Sequence, residues 1–250
     1  MLRLKTIEKS YGAKAVVNGV SLNFQAAKTY ALIGPSGCGK STLLRIIMGL
    51  ISPDQGTVLI NEQPLPSLPI NAARRDFGYV IQSGGLFPHL TCRENAALPA
   101  VYGKWSGDKT SKRLSELSDL TDLSADVLDR YPIQVSGGQR QRVSLIRALM
   151  LDPEFLLLDE PLAALDPMIR SQLQTELHRI FRSLGKTVII VTHDLHEAAY
   201  FADEIILLRD GVVEQQGSID QLQNQPASEF VSEFIAAQKS HLVSTPGSGS

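Results

Sequence analysis

The stretch Gly34-Pro35-Ser36-Gly37-Cys38-Gly39-Lys40-Ser41-Thr42 has the residue types and the spacing to cradle a polyphosphate. Glycines without a Cβ let successive backbone N–H groups turn toward one point, and a helix opening behind them adds about half a positive charge at its first turn. Lys40 would then reach the β- and γ-phosphates. The Ser41 hydroxyl would ligate Mg²⁺, an ion that keeps most of its octahedral shell from water and phosphate. The competing reading is a chance glycine-rich turn, which would need no strand before it and no helix after it. Here the apolar run Tyr30-Ala31-Leu32-Ile33 precedes it, and a helical pattern with Leu43, Leu44, Ile47 and Leu50 on one face follows from Lys40.

A second group of acids has matching chemistry. Phe155-Leu156-Leu157-Leu158-Asp159-Glu160 is an apolar strand ending in two carboxylates, and a buried strand delivers such groups to the edge of a sheet beside a nucleotide. Asp159 would orient Mg²⁺ or its waters, and Glu160 would polarise an attacking water as a general base. A helix-capping or solvated acid pair is the alternative. Farther on, Val135-Ser136-Gly137-Gly138-Gln139 is a Ser-Gly-Gly turn that opens a helix. Cys38 lies among amide donors that favour an anionic thiol, or else it is a small filler side chain turned away from the phosphates.

The elements that must position these groups are readable in outline. Val20, Leu22 and Phe24 alternate with polar residues as in half-buried strands, so early antiparallel strands are expected beside a central sheet. Further strands are expected at Thr57 to Asn61, Asp76 to Ile81, Phe155 to Leu158, Thr187 to Val191 and Glu204 to Leu208, with an Asp210-Gly211 hairpin turn before Val212 to Gln215. Between Gln82 and Ser136 the pattern turns helical: Thr91-Cys92-Arg93-Glu94 has the form of a capping box, and Leu114, Leu117, Leu120, Leu123 and Leu128 recur at helical spacing. Asp166-Pro167 and Asp194-Leu195-His196-Glu197 read as helix starts directly after the candidate strands. Ser218 to Gln223 and Ser228 to Ala237 read as closing helices, and Ser244 to Ser250 as a flexible tail.

The glycine loop, the strand ending in two acids and the Ser-Gly-Gly turn together resemble the ATP-binding subunits of ABC transporters, over about residues 2–238. The resemblance implies an α/β fold with a P-loop NTPase (RecA-like) core. To this it adds an N-terminal antiparallel β subdomain and an α-helical subdomain inserted at about residues 84–150, all within one domain over 1–238 ahead of a tail at 239–250. It implies ATP and Mg²⁺ as cofactors, with Tyr11 stacking on adenine, Gln82 contacting Mg²⁺ and the attacking water, and His193 contacting the γ-phosphate. Each has a plainer alternative, a packing Tyr or a structural His among them. It also implies that Ser136, Gly137, Gly138 and Gln139 act across a head-to-tail dimer, on the γ-phosphate held by a second copy. Val135 stands where the family most often has Leu. The segment Leu162-Ala163-Ala164-Leu165-Asp166 is similar to the family's loop between the two nucleotide sites, with Ala163 or Ala164 where Ser is commoner, although Asp166 could equally be a helix cap.

The expected function is an ATPase subunit that drives separate transmembrane permease subunits. Asp76 to Gln82 followed by Gly85-Leu86-Phe87-Pro88-His89-Leu90-Thr91 is similar to importers of quaternary-ammonium osmoprotectants such as glycine betaine, choline or carnitine. A solute-binding protein would then act indirectly. Import of an amino acid or another small solute stays open. A C-terminal regulatory domain of the kind many such relatives carry is not expected. A rival class, ABC ATPases acting on DNA or ribosomes, carries a coiled coil or a second ATPase domain that does not fit in 250 residues. A non-hydrolysing nucleotide scaffold would need none of Glu160, Gln82 and His193 in combination.

Composition agrees with these expectations. Twenty-four basic against 26 acidic side chains leave a net charge of −2, without the basic field that nucleic-acid binding draws on. Apolar runs such as Val188 to Val191 and Ile205 to Leu208 are too short to span a bilayer, and no long apolar core follows the N-terminus. A cytosolic protein reaching the inner face of the membrane through its permease is expected. The two cysteines, Cys38 and Cys92, offer neither a disulfide framework nor paired metal-ligand spacing.

Overall fold

The computed structural model describes residues 1–65, 74–82, 84–163 and 165–240. Two sheets organise them. Strands β1 (Leu2–Tyr11), β2 (Lys14–Phe24), β4 (Gln55–Ile60) and β5 (Gln63–Pro64) form an antiparallel sheet in the order β2-β1-β4-β5. Strands β3 (Thr29–Ile33), β6 (Phe77–Val80), β7 (Phe155–Asp159), β8 (Thr187–Val191), β9 (Glu204–Arg209) and β10 (Val212–Gly217) form the second, in the order β10-β9-β3-β8-β7-β6. This sheet is parallel from β9 to β6, with β10 added antiparallel at one edge.

The near-continuous apolar character of β3, β7 and β8 follows from this placement, because a parallel sheet is covered on both faces. Successive side chains alternate between two cores. Tyr30, Leu32, Phe155, Leu157, Ile189 and Ile206 face the antiparallel sheet and helix α1 (Lys40–Ile47), meeting Leu2, Leu4, Phe24, Leu43 and Leu44. Ala31, Ile33, Leu156, Leu158, Ile190 and Leu207 face the opposite layer, where they meet Val143, Ile146, Leu173, Leu177 and Phe201. The phenol of Tyr30 is buried but satisfied, accepting from the Gln25 N–H at 2.8 Å.

Between β6 and β7 the chain is helical: α2 (Cys92–Tyr102), α3 (Gly107–Leu120), α4 (Ala125–Leu128) and α5 (Gly137–Leu149). Three of these four starts are marked by a side-chain cap. Thr91 and Glu94 complete the capping box at α2, Ser106 caps α3, and Ser136 with Gln139 forms a second box at α5. Each such cap contributes about 1 kcal/mol. Leu114 and Leu117 are buried in the same core as the sheet's outer face, so this block is docked on the central layer. Among the described residues, α6 (Pro167–Leu184), α7 (Leu195–Phe201), α8 (Ile219–Asn224) and α9 (Glu229–Ser240) complete the fold. It is a P-loop NTPase fold with an antiparallel β subdomain and a helical insert.

Two expectations shift. Helix α1 stops at Ile47 and Gly49 turns the chain at φ +64°, so Leu50 lies beyond the helix and is half exposed rather than on its buried face. Strand β4 starts and ends earlier than Thr57 to Asn61, because Asn61 and Glu62 take positive φ to turn into β5. The Asp210-Gly211 hairpin is present, with both residues at positive φ. Helix α9 runs to Ser240, two residues into the tail expected at 239–250, while Ala164 and residues 241–250 lie outside the described residues.

Candidate functional site

The glycine loop joins β3 to α1, and its backbone requires glycine. Gly34 at φ +142° places a notional Cβ 2.1 Å from the Leu208 carbonyl oxygen, and Gly39 at φ +105° places one 2.4 Å from the Val16 oxygen. Gly39 is also the residue that opens α1, and no side chain caps the helix there. Its first amide groups are therefore free to meet an anion. Beside them opens a cavity of about 280 Å³ lined by Val16, Ser36, Gly37, Gly39, Lys40, Ser41, Thr42 and Glu160.

Lys40 is only 7% exposed. Its ammonium donates to the carbonyls of Gly34 at 2.8 Å and Pro35 at 2.9 Å, and lies 3.7 Å from Cys38 Sγ. Carbonyl dipoles thus hold the cation at the cavity until a phosphate competes for it. Cys38 is 6% exposed and packs in the core with Leu43 and Leu208, so its side chain fills space beneath the loop.

The acids of β7 meet this loop from the neighbouring part of the sheet. Ser41 Oγ donates to Asp159 Oδ1 at 3.0 Å, and the Tyr79 hydroxyl lies 3.4 Å from Asp159 Oδ2. Burial raises the Asp159 carboxyl above the ordinary carboxylate range, against the hydrogen bond from Ser41. Burial beside that carboxylate pushes the Tyr79 phenol up to about 12, so it stays a proton donor. A hydroxyl and a carboxylate side by side are hard oxygen donors of the kind that suit Mg²⁺, which takes one or two protein ligands and leaves the rest to phosphate and water.

Glu160 follows Asp159 at φ +46°, a left-handed conformation rare for this side chain, while its N–H still bonds the Val191 carbonyl at 2.9 Å. Such strain is held in place by surrounding structure and concentrates at functional sites. Its effect is to turn the side chain over the cavity. Gln82 Nε2 donates to Glu160 Oε2 at 2.8 Å, and His193 Nδ1 lies 3.5 Å from the same oxygen. Gln82 and His193, from two separate loops, thus converge on the carboxylate of Glu160, which lines the cavity. The loop after Gln82 is held from behind by α5: Arg147 donates to the Gly84 and Gly85 carbonyls at 2.8 Å each, and Ser144 Oγ to Gly84 at 2.7 Å.

Other expected residues lie apart from this group. Tyr11 ends β1 with its ring half exposed, opposite Lys14 in the hairpin register, and does not line the cavity. Ser136, Gly137, Gly138 and Gln139 do not line it either. Ser136 is exposed and caps its own helix, and this turn packs near α6, where a Cβ on Gly138 would meet Ile169 at 3.0 Å and one on Gly137 would meet Leu165 at 3.0 Å. Asp166 serves as the cap of α6, accepting from the Ile169 N–H at 3.1 Å.

Sequence reasoning missed Val16, which lines the cavity, and Tyr79, which meets Asp159. A tyrosine on a strand and a valine in a hairpin carry no local signal of a site. Asp194 caps α7 as expected, through the N–H groups of His196 and Glu197. Glu197 instead turns inward to Thr192 rather than back to the cap.

Comparison with known proteins gives consistent matches. The family model described as ABC transporter matches residues 17–163. The carnitine transport ATP-binding protein OpuCA of Listeria monocytogenes is 42% identical over 96% of the chain and 60% of its own length. The glycine betaine uptake system ATP-binding protein YehX of Escherichia coli is 44% identical over 94% of the chain and 76% of its own length. The chain thus spans about three fifths of the length of the Listeria relative. Among solved structures, the dimeric post-hydrolysis state of the ATP-binding cassette MJ0796 bound to ADP and Pi aligns with a TM-score of 0.78 at 36% identity, covering 88% of this chain and 99% of that one.

Proposed function

The chain belongs to the ABC transporter family, and from that premise we propose that it is an ATP-hydrolysing subunit working as a head-to-tail pair to drive a membrane permease. The observation that carries the reading is the convergence of Gln82, Glu160 and His193 at the mouth of the Lys40 cavity. A protein that only held a nucleotide would need the glycine loop but not a carboxylate oriented by an amide and an imidazole.

The residues have separable tasks. The amides of Gly37 to Ser41 and the Lys40 ammonium bind the β- and γ-phosphates, with Tyr11 against adenine and Thr42 beside the loop. Ser41 and Asp159, with Gln82, would hold Mg²⁺, which when bound neutralises charge on the phosphate oxygens. Glu160 accepts a proton from the attacking water while Gln82 orients it. His193, at 62% side-chain exposure, is free to donate to the γ-phosphate.

Ser136 and the amides of Gly137 to Gln139 are a helix N-terminus with no phosphate of its own. They complete the site of a second copy, so ATP joins the two chains. ATP shifts the pair toward closure only because the closed state binds it more tightly than the open one. Hydrolysis removes that difference and reopens the pair.

The names of the relatives favour import of a quaternary-ammonium osmoprotectant, with a solute-binding protein upstream of the permease. Among the described residues no helix is long and apolar enough to cross a membrane, and attachment to the inner face of the membrane would come through the permease. Affinity purification from membranes tests this. Co-purification of a polytopic protein, with uptake of glycine betaine, carnitine or choline lost on deletion, supports it. Recovery of ribosomes or DNA alone, or loss of amino-acid uptake instead, contradicts it.

A further inference from the structure

His193 sits between two residues that are hydrogen-bonded to each other. The Asp194 N–H donates to Thr192 Oγ1 at 3.1 Å, and that hydroxyl donates to Glu197 Oε2 at 2.7 Å. Thr192 is 1% exposed and Glu197 6% exposed, so this relay lies beneath the surface while the imidazole stands out in solvent. The Thr192 N–H is itself tied to the Leu32 carbonyl at 3.2 Å, in the strand that leads into the glycine loop.

A carboxylate in such a place needs a reason. Burial pushes the Glu197 carboxyl up, opposed by the bond from Thr192 and by the nearby charges of Arg170 and His193, while Asp194 adds to the rise. The helix does not need it for capping, because Asp194 alone caps α7. What it does bond is the hydroxyl that fixes the turn on either side of His193. Arg170, whose charge acts on Glu197, donates to the Leu165 carbonyl at 3.2 Å, in the loop that follows Glu160.

We propose that Thr192 and Glu197 are positioning residues that hold the turn carrying His193, so that its imidazole reaches Glu160 and the γ-phosphate in one orientation. The inference rests on the ATPase reading above. Neither residue touches nucleotide; both act through His193. A hydroxyl that accepts from one side of the turn and donates to a buried carboxylate has its rotor fixed at both ends, which a lone threonine would not.

The test is a double-mutant cycle on ATP turnover by the purified chain. Thr192→Val and Glu197→Ala each lower kcat about ten- to a hundredfold, the size of effect that misplacing a reacting group produces, while KM for ATP changes less than about twofold. Thr192→Ser and Glu197→Gln, which keep a hydroxyl and an acceptor oxygen, restore most of that turnover. In a His193→Ala background, Thr192→Val causes no further loss. If Thr192→Val does not fold, as judged by its melting curve, Glu197→Ala takes its place in the cycle. Full kcat in both Thr192→Val and Glu197→Ala, or an additive loss in the His193→Ala background, overturns the proposal. A wild-type chain without ATP turnover would instead overturn the ATPase reading.

Discussion

Gln82 and Glu160, separated by 78 positions in the chain, meet at 2.8 Å, the amide of one donating to the carboxylate of the other. This contact joins the end of β6 to the end of β7, and it exists because the two strands lie side by side and parallel in the sheet. Replacing Glu160 with Gln keeps the shape of the contact and removes the carboxylate proposed as the base. Turnover should fall about 10²- to 10⁴-fold with nucleotide binding retained, and gel filtration with ATP should show a persistent pair. Turnover at the wild-type rate would remove Glu160 from its role.

Gly39→Ala should damage the site and the fold together. The substitution puts a Cβ 2.4 Å from the Val16 carbonyl at a φ of +105°, which costs about 1–3 kcal/mol and lowers Tm by about 2–4 °C per kcal/mol in a chain of this size. Nucleotide affinity should drop as well, because the amides behind Gly39 would shift. A melting curve and a nucleotide titration check both.

The sequence reading succeeded where one segment holds both the signal and its consequence. Gly34 to Ser41 lies between its strand and helix, Thr91 and Glu94 cap their own helix, and the Ser136 turn opens α5. It was less sharp at β1, where Leu2 and Leu4 are spaced by two and Ile7 by three, because Thr6 sits at φ +48° in a register shift that breaks the alternation. The order β9-β3-β8-β7-β6, the meeting of Tyr79 with Asp159 and the bond from Thr192 to Glu197 depend on tertiary packing, which local periodicity does not encode. The role of Ser136 remained an implication of resemblance because it needs a second chain.

The buried Glu197 carboxyl gives stability a pH dependence. Burial raises its folded-state pKa above the ordinary Glu value of 4.5, so the folded chain holds this proton more tightly than the unfolded one. Its contribution is fully present below that ordinary value and is lost as pH rises through the raised one. Glu197→Gln should therefore gain in Tm relative to wild type as pH rises from about 4 to 7. A difference that stays constant over that range would contradict the assignment.

Both thiols should be slow to react in the folded chain. Cys38 and Cys92 are free and buried, and Cys38 packs against the core under the glycine loop. A chromogenic disulfide reagent should titrate almost none of them in native buffer within minutes and both after unfolding. Rapid modification of one thiol, with ATP protecting it, would place Cys38 at the phosphates instead.

The central claim is that each chain holds the phosphates while its partner supplies Ser136. Lys40→Ala and Ser136→Arg chains should each be inactive alone, and mixed in equal amounts they should regain about a quarter of wild-type ATP turnover, because random pairing leaves one complete site in half of the pairs. No recovery on mixing, or full activity in the Ser136→Arg chain by itself as a monomer, would contradict it.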